Sequence, residues 1–222
     1  MEFGLDLRRV HITRHDGRAG RREAGVVQHC GEILDGDLVR RHGLSLMSPT
    51  RSALEFTTIS GVEAGLVQVN HLLHTGQTDP RQLAQMQERL NLWPSTLNTD
   101  LVLRLADRKL ESVLECRFFF LCFRYSVPMP IPQFEIFDER GQVAARLDFA
   151  WPALGKWAEC DGNVKYEKLL RPGERASDVV LREKRREAMI CEATGWSCAR
   201  FDNDDINWGQ HTADRLKAFL AK

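Results

Sequence analysis

The spacing of apolar positions divides the chain into three stretches. Over residues 1–50, short apolar runs (Val26-Val27, Ile33-Leu34 and residues 44–47) lie between Gly17, Gly20, Gly25, Gly31, Gly36 and Gly43. That texture predicts short strands joined by turns, too irregular for a complete domain. From Arg51 onward Leu54, Ile59, Val62, Leu66, Val69, Leu72 and Leu73 recur at three- and four-residue steps. This spacing predicts helix, with Gly61 and Gly65 as candidate breaks and Gly76 as its end. Thr78-Asp79-Pro80-Arg81 reads as the start of another helix, with Leu83, Met86 and Leu90 as its stripe. Leu97, Leu101, Leu103 and Leu105 predict one more. Residues 51–107 form a helical region without obvious chemistry, read as scaffold.

Beyond Arg108 the pattern alternates. Residues 112–123 predict a thick apolar helix, and Pro128, Pro130 and Pro132 a stiff extended approach. Residues 133–137 predict a strand, Asp138-Glu139-Arg140-Gly141 a hairpin turn, residues 143–151 a second strand and residues 156–160 a third. Asp178 is placed to cap a helix running to Ala193, with Gly195 as C-cap. Residues 196–201 predict a fourth strand and residues 210–220 a last helix. Helix, three strands, helix, strand, helix predicts one three-layer α/β domain over residues 108–222, preceded by a mainly helical N-terminal region.

Composition narrows the partners. The chain carries 31 Lys+Arg against 31 Asp+Glu, so its formal net charge is zero. A histone-like polycation is excluded; a locally basic face is not. The longest apolar run, residues 118–123, is far short of the roughly 20 residues that a membrane span needs. Glu2 and Asp6 stand where a signal peptide would be apolar, so the expectation is a protein neither secreted nor anchored. Cys30, Cys116, Cys122, Cys160, Cys191 and Cys198 form no CxxC pair and no zinc spacing, which fits a reducing, cytoplasmic setting. Four scattered histidines, His11, His15, His29 and His42, have no HExxH-like spacing and are assigned no metal.

The chemistry concentrates on the second and third strands of the C-terminal domain. Asp148 stands in Arg146-Leu147-Asp148-Phe149-Ala150-Trp151, and Glu159 and Asp161 in Trp157-Ala158-Glu159-Cys160-Asp161-Gly162. Period two puts Glu159 and Asp161 on one face, and alternation puts Leu147 and Phe149 together on the side away from Asp148. Neighbouring strands are about 4.8 Å apart, so Asp148 approaches Glu159 if the registers match. Converging carboxylates repel, and a hard divalent cation with all-oxygen ligation relieves them. The plain alternative is solvent-facing acids on an amphipathic strand. Against it, Asp148 is flanked by apolar and aromatic residues, and the segment after Gly162 is basic: Lys165, Lys168, Arg171, Arg175, Arg182, Lys184, Arg185 and Arg186. Acids that hold a metal beside bases that hold a backbone suit a phosphodiester. Phe118, Phe119, Phe120, Trp151 and Trp157 are expected in the core rather than as base-stacking platforms.

These stretches together resemble the PD-(D/E)xK nuclease superfamily, and within it the DUF559-type domains related to very-short-patch repair endonucleases, found in actinobacteria and their phages. The likeness runs through residues 111–117, 147–152 and 159–162. It continues through Val164-Lys165-Tyr166, residues 169–173, residues 183–186, Gly195-Trp196, Arg200 and Asp204-Asp205. Upstream, Gly43-Leu44, Ser48-Pro49-Thr50-Arg51, the helix to Leu73, Gly76 and Leu83 are similar to the piece that precedes such domains. Relatives often carry a winged-helix segment similar to AbiEi-type antitoxins before it, and no full one is expected here.

The resemblance implies a restriction-endonuclease-like core, a central mixed sheet flanked by helices. It implies an Mg²⁺- (or Mn²⁺-) dependent endodeoxyribonuclease acting on DNA. Asp148 and Glu159 are then the metal-binding carboxylates, and Glu115 the extra acid that completes the site. Asp161 takes the place where many members have lysine, with Lys165 as the candidate substitute. Arg182, Arg185 and Arg186 are the expected phosphate contacts. The alternative is a non-catalytic DNA- or protein-binding module on the same fold, phage- or defence-related, with a protein partner or a second copy of the chain.

Overall fold

The computed structural model describes the backbone of residues 9–16, 18, 20–90, 93, 95–161 and 176–222; of these, the side chains of residues 176–181 and 183 are outside the description. The chain divides into two units, Met1–Arg108 and Lys109–Lys222.

The first unit is not helical throughout. Its opening residues build two small sheets. In one, β1 (Val10–Arg14) runs parallel to β3 (Val26–Cys30), and β2 (Arg22–Glu23) pairs antiparallel on the other side of β3. The other is the hairpin of β4 (Leu38–Arg41) and β5 (Leu44–Met47). Its two-residue turn, His42-Gly43, has φ of +50° and +79°, the left-handed pair that matches strand twist in a tight hairpin. Four helices follow: α1 (Pro49–Ile59), α2 (Val62–His74), α3 (Pro80–Arg89) and α4 (Thr96–Leu105). Ser48 caps α1, and Asp79 with Gln82 forms a reciprocal capping box on α3.

The expected helix break falls at Ser60-Gly61, and Gly65 lies inside α2. A Cβ on Gly65 would sit 3.2 Å from the Thr57 methyl and 3.1 Å from a Val102 methyl. Gly65 therefore permits close helix packing instead of breaking the helix. Ala53, Leu54, Leu66, Val69 and Val102 form the core between these helices. A charged knot is buried with them. Asp37 and Arg51 are 0% and 1% exposed and hydrogen-bond each other. Arg89 donates to Asp37 at 2.9 Å, Arg51 Nε donates to Glu55 at 2.8 Å, and the Arg51 guanidinium lies 5.2 Å from the Trp93 ring centre. The Leu34 N–H, then Arg89 and Arg51, hold the Asp37 carboxyl below its ordinary range although burial acts to raise it.

The second unit is a four-stranded mixed sheet with helices. Its elements are α5 (Val113–Arg124), β6 (Ile131–Phe137), β7 (Val143–Trp151), a short 3₁₀ turn, β8 (Lys156–Cys160), α6 (Ala176–Thr194), β9 (Ser197–Phe201), α7 (Asn203–Asn207) and α8 (Gln210–Leu220). Strand order is β6-β7-β8-β9; the first three are antiparallel and β9 is parallel to β8. Helix α6 begins at Ala176, before the Asp178 start read from the sequence.

The core lies on both sheet faces. Phe118 of α5 packs on Phe149 and Phe201, with ring centres 4.9 and 4.8 Å apart. Ala150 and Trp157 pack with Ile190 of α6. Phe149 and Ala150 are consecutive, so α5 and α6 cover opposite faces. Of the aromatics expected inside, Phe118, Phe119, Trp151 and Trp157 are buried and Phe120 is half-buried. No helix among the described residues is long and apolar enough to cross a membrane.

Candidate functional site

Strand alternation breaks where the acids gather. Leu147 shares the α6-side cluster with Ala150 and Trp157, whereas Phe149 faces α5. Leu147 and Phe149 therefore point to opposite faces, which corrects the expectation that both sit together behind Asp148. The β6–β7 ladder is interrupted at the same place. It pairs Pro132 with Phe149 and Phe134 with Leu147, and the rung between them, Gln133 opposite Asp148, is missing. Gln133 has φ +48°, a left-handed conformation rare for a residue other than glycine. The change of facing on β7 coincides with this missing rung.

Asp148 is half-buried and accepts a hydrogen bond from the Cys160 N–H at 2.8 Å. This contact caps the end of the β7–β8 ladder, whose last rung is Phe149 with Ala158. Asp148 and Glu159 form no rung of that ladder, but the Asp148 charge acts on the Glu159 carboxyl. Glu159 is 6% exposed. Its carboxyl is pushed up to about 8, first by burial and then by the charge of Asp148, against the opposing pull of Arg186. Arg186 of α6 donates to Glu159 Oε1 at 3.1 Å and to the Arg146 carbonyl at 2.5 Å.

Glu115 reaches the same neighbourhood from the first turn of α5. It accepts from the Ser112 hydroxyl at 2.7 Å, the Glu111 N–H at 3.1 Å and the Gln133 amide at 2.9 Å. Burial raises its pKa, and the Asp148 charge adds to the shift; the Ser112 hydrogen bond works against it. Asp148 thus acts electrostatically on both Glu115 and Glu159, and three carboxyls share one field.

Asp161 adds a smaller upward push on Glu159 but is itself held elsewhere. Arg200 of β9, paired in register with Glu159, hydrogen-bonds Asp161 and holds Glu187 of α6 at 2.8 Å. Asp161 is therefore engaged by a cation. Lys165 lies outside the described residues. Arg182 is half-buried and Arg185 exposed on α6. No group of three or more His, Cys, Asp or Glu side chains placed to hold a metal occurs among the described residues. The oxygen donors that remain suited to a hard cation are those of Asp148 and Glu159.

Gln133 escaped sequence reading, and Arg200, part of the family likeness, was given no role there. Gln133 carries no pattern that marks a left-handed strand residue. Arg200 joins through a parallel register that alternation cannot reveal. For Glu115 a signal was present: Ser112-x-x-Glu115 is a capping-box spacing, and the Ser112 hydroxyl does accept from the Glu115 N–H at 3.1 Å.

The raised Glu159 carboxyl has a consequence for folding. The native state holds a proton on Glu159 at pH values where the unfolded chain has lost it, so this group's stabilising contribution is complete below about 4.5 and is lost as pH rises to about 8. Each pH unit in that window costs up to roughly 1.4 kcal/mol. Melting temperature should fall from pH 5 to pH 8; a melting temperature rising across that window would contradict the buried, charge-crowded placement of Glu159. In comparisons with family models, curated proteins and solved structures, the chain matches none.

Proposed function

We propose that the second unit is a nuclease-like domain of the PD-(D/E)xK type that hydrolyses DNA phosphodiesters with a divalent metal. The observation that supports this most is a buried Glu159 that burial and the nearby Asp148 charge force toward protonation. Arg186, 41% exposed at its side chain, is the one cation bonded to Glu159 among the described residues. A small hard cation fits this donor chemistry, since Mg²⁺ commonly uses one or two carboxylates and fills its shell with water and phosphate oxygens. Asp148 and Glu159 are the residues that hold it. When bound, Mg²⁺ or Mn²⁺ lowers the pKa of a water and stabilises charge on a leaving oxygen.

The chain's own groups supply the rest. Arg186 is already within bonding distance of the acid pair, and its planar fork suits a phosphate once it leaves Glu159. Arg182 and Arg185 lie on the same helix and extend that basic edge along a backbone. Glu115 adds negative field beside Asp148. Lys165 is the group we assign to polarising the attacking water. DNA is the proposed partner, in a cytoplasmic and phage- or defence-related setting.

One observation favours the second reading, a module that binds DNA or a protein without cutting. Asp161, at the position where many nucleases of this type have lysine, is held by Arg200 instead. Calorimetric titration with Mn²⁺ separates the two. The nuclease reading expects a site that weakens at least tenfold in Asp148→Ala, since losing even a hydrogen-bond partner of a ligand commonly costs that much. A protein that binds no Mn²⁺ yet binds duplex DNA in chelator is the module.

A further inference from the structure

Gln133 stands apart from every other strand residue of the second unit. It is a non-glycine residue with φ +48° inside a strand, 8% exposed, at the missing rung opposite Asp148. Its amide donates to Glu115 Oε2 at 2.9 Å, from strand to helix. A left-handed backbone at such a residue costs energy and persists only where surrounding contacts over-determine it. Three features meet at this rung: Asp148 with its bond to the Cys160 N–H, the opposite facing of Leu147 and Phe149, and the bond to Glu115.

We infer that Gln133 is a positioning residue of the acid site, its amide fixing the Glu115 carboxylate beside Asp148. This rests on the reading of Asp148 and Glu159 as the metal-holding pair. Gln133 touches no substrate in this account; it acts through Glu115. The Ser112 hydroxyl and the Glu111 N–H tie Glu115 to its own helix terminus, and those contacts serve capping equally well. The Gln133 bond is the one that joins Glu115 to the sheet bearing Asp148.

Two substitutions separate amide from backbone. Gln133→Met keeps the side-chain volume and the strained φ but removes the donor. Gln133→Gly removes the donor and relaxes the φ. Each is measured by melting, by Mn²⁺ calorimetry and by single-turnover cleavage of plasmid DNA, alone and combined with Glu115→Ala. Both variants should fold, cleave on the order of 10-fold slower with KM unchanged, and bind Mn²⁺ up to about 10-fold more weakly. In the Glu115→Ala background neither should cause a further loss, because the amide acts only through that carboxylate. If one variant fails to fold, the other decides.

A Met variant that binds and cleaves like the wild type overturns the inference. So do losses that multiply in full with Glu115→Ala. A wild type that neither binds Mn²⁺ nor cleaves removes the underlying reading and this inference with it. Wild-type binding and cleavage beside unaffected variants remove the inference alone.

Discussion

Glu159→Gln is expected to lose DNA cleavage by roughly 10³-fold or more, about 4 kcal/mol of barrier, while melting at a higher temperature than the wild type at pH 8. The two effects have one cause. Glu159 is buried beside Asp148, and its ionised form is disfavoured up to about 8. In the folded protein without metal, that charge is a liability. The amide keeps the shape, cannot carry the charge, and relieves Asp148 of a like-charged neighbour. Arg186 loses its carboxylate partner but is exposed enough to find water. The same charge is what a divalent cation needs, so removing it removes function. A fully active Glu159→Gln, or one that melts well below the wild type at pH 8, would contradict the assignment. The usual stability–activity trade at strained active sites has this form.

Asp37→Ala is expected to destabilise the first unit by about 3 kcal/mol or more. Asp37 is completely buried and accepts from Arg51, from Arg89 and from the Leu34 N–H. Arg51 is itself 1% exposed, and its Nη2 has no hydrogen-bond partner among the described residues. Removing Asp37 leaves that buried guanidinium with Glu55 as its remaining acidic partner. The penalty is the uncompensated cation, not the loss of one contact. The double variant Asp37→Ala with Arg51→Met should recover much of the loss, since an apolar replacement of a buried pair is close to neutral. Urea unfolding followed by circular dichroism measures both. A single-variant loss below about 1 kcal/mol, or losses that simply add in the double variant, would show that the knot does not carry this weight.

The elements that sequence patterning located best are those with strong periods. Leu54, Leu66 and Val69 mark helices that α1 and α2 reproduce, and the hairpin of β6 and β7 follows from its alternation and the Gly141 turn. Asp148 and Glu159 were legible as neighbours because antiparallel strands joined by a short connection have few registers to choose from. What period two cannot show is where it stops. The facing of Leu147 and Phe149 parts beside the missing Gln133–Asp148 rung, and nothing in residues 131–134 announces it. The role of Arg200, which the likeness named without assigning one, was illegible for a different reason. Arg200 meets Glu159 through a parallel pairing across a long crossover, and such registers are set by packing of the intervening helix. Helix α7 was missed because five residues are too few to show a stripe, although Asp202 and Asp205 form its capping box. In the first unit the short strands were expected, but the parallel pairing of β1 with β3 rests on contacts that no local pattern encodes.

The central claim is that Asp148 and Glu159 hold a divalent metal used to cut phosphodiesters. The most direct test is cleavage of supercoiled plasmid, single-stranded DNA and RNA with Mg²⁺ or Mn²⁺, wild type beside Glu159→Ala, both confirmed folded. The account predicts metal-dependent cutting of DNA by the wild type and none by the variant. Equal cutting by both proteins would contradict the site, and no cutting by the folded wild type would contradict the catalytic reading.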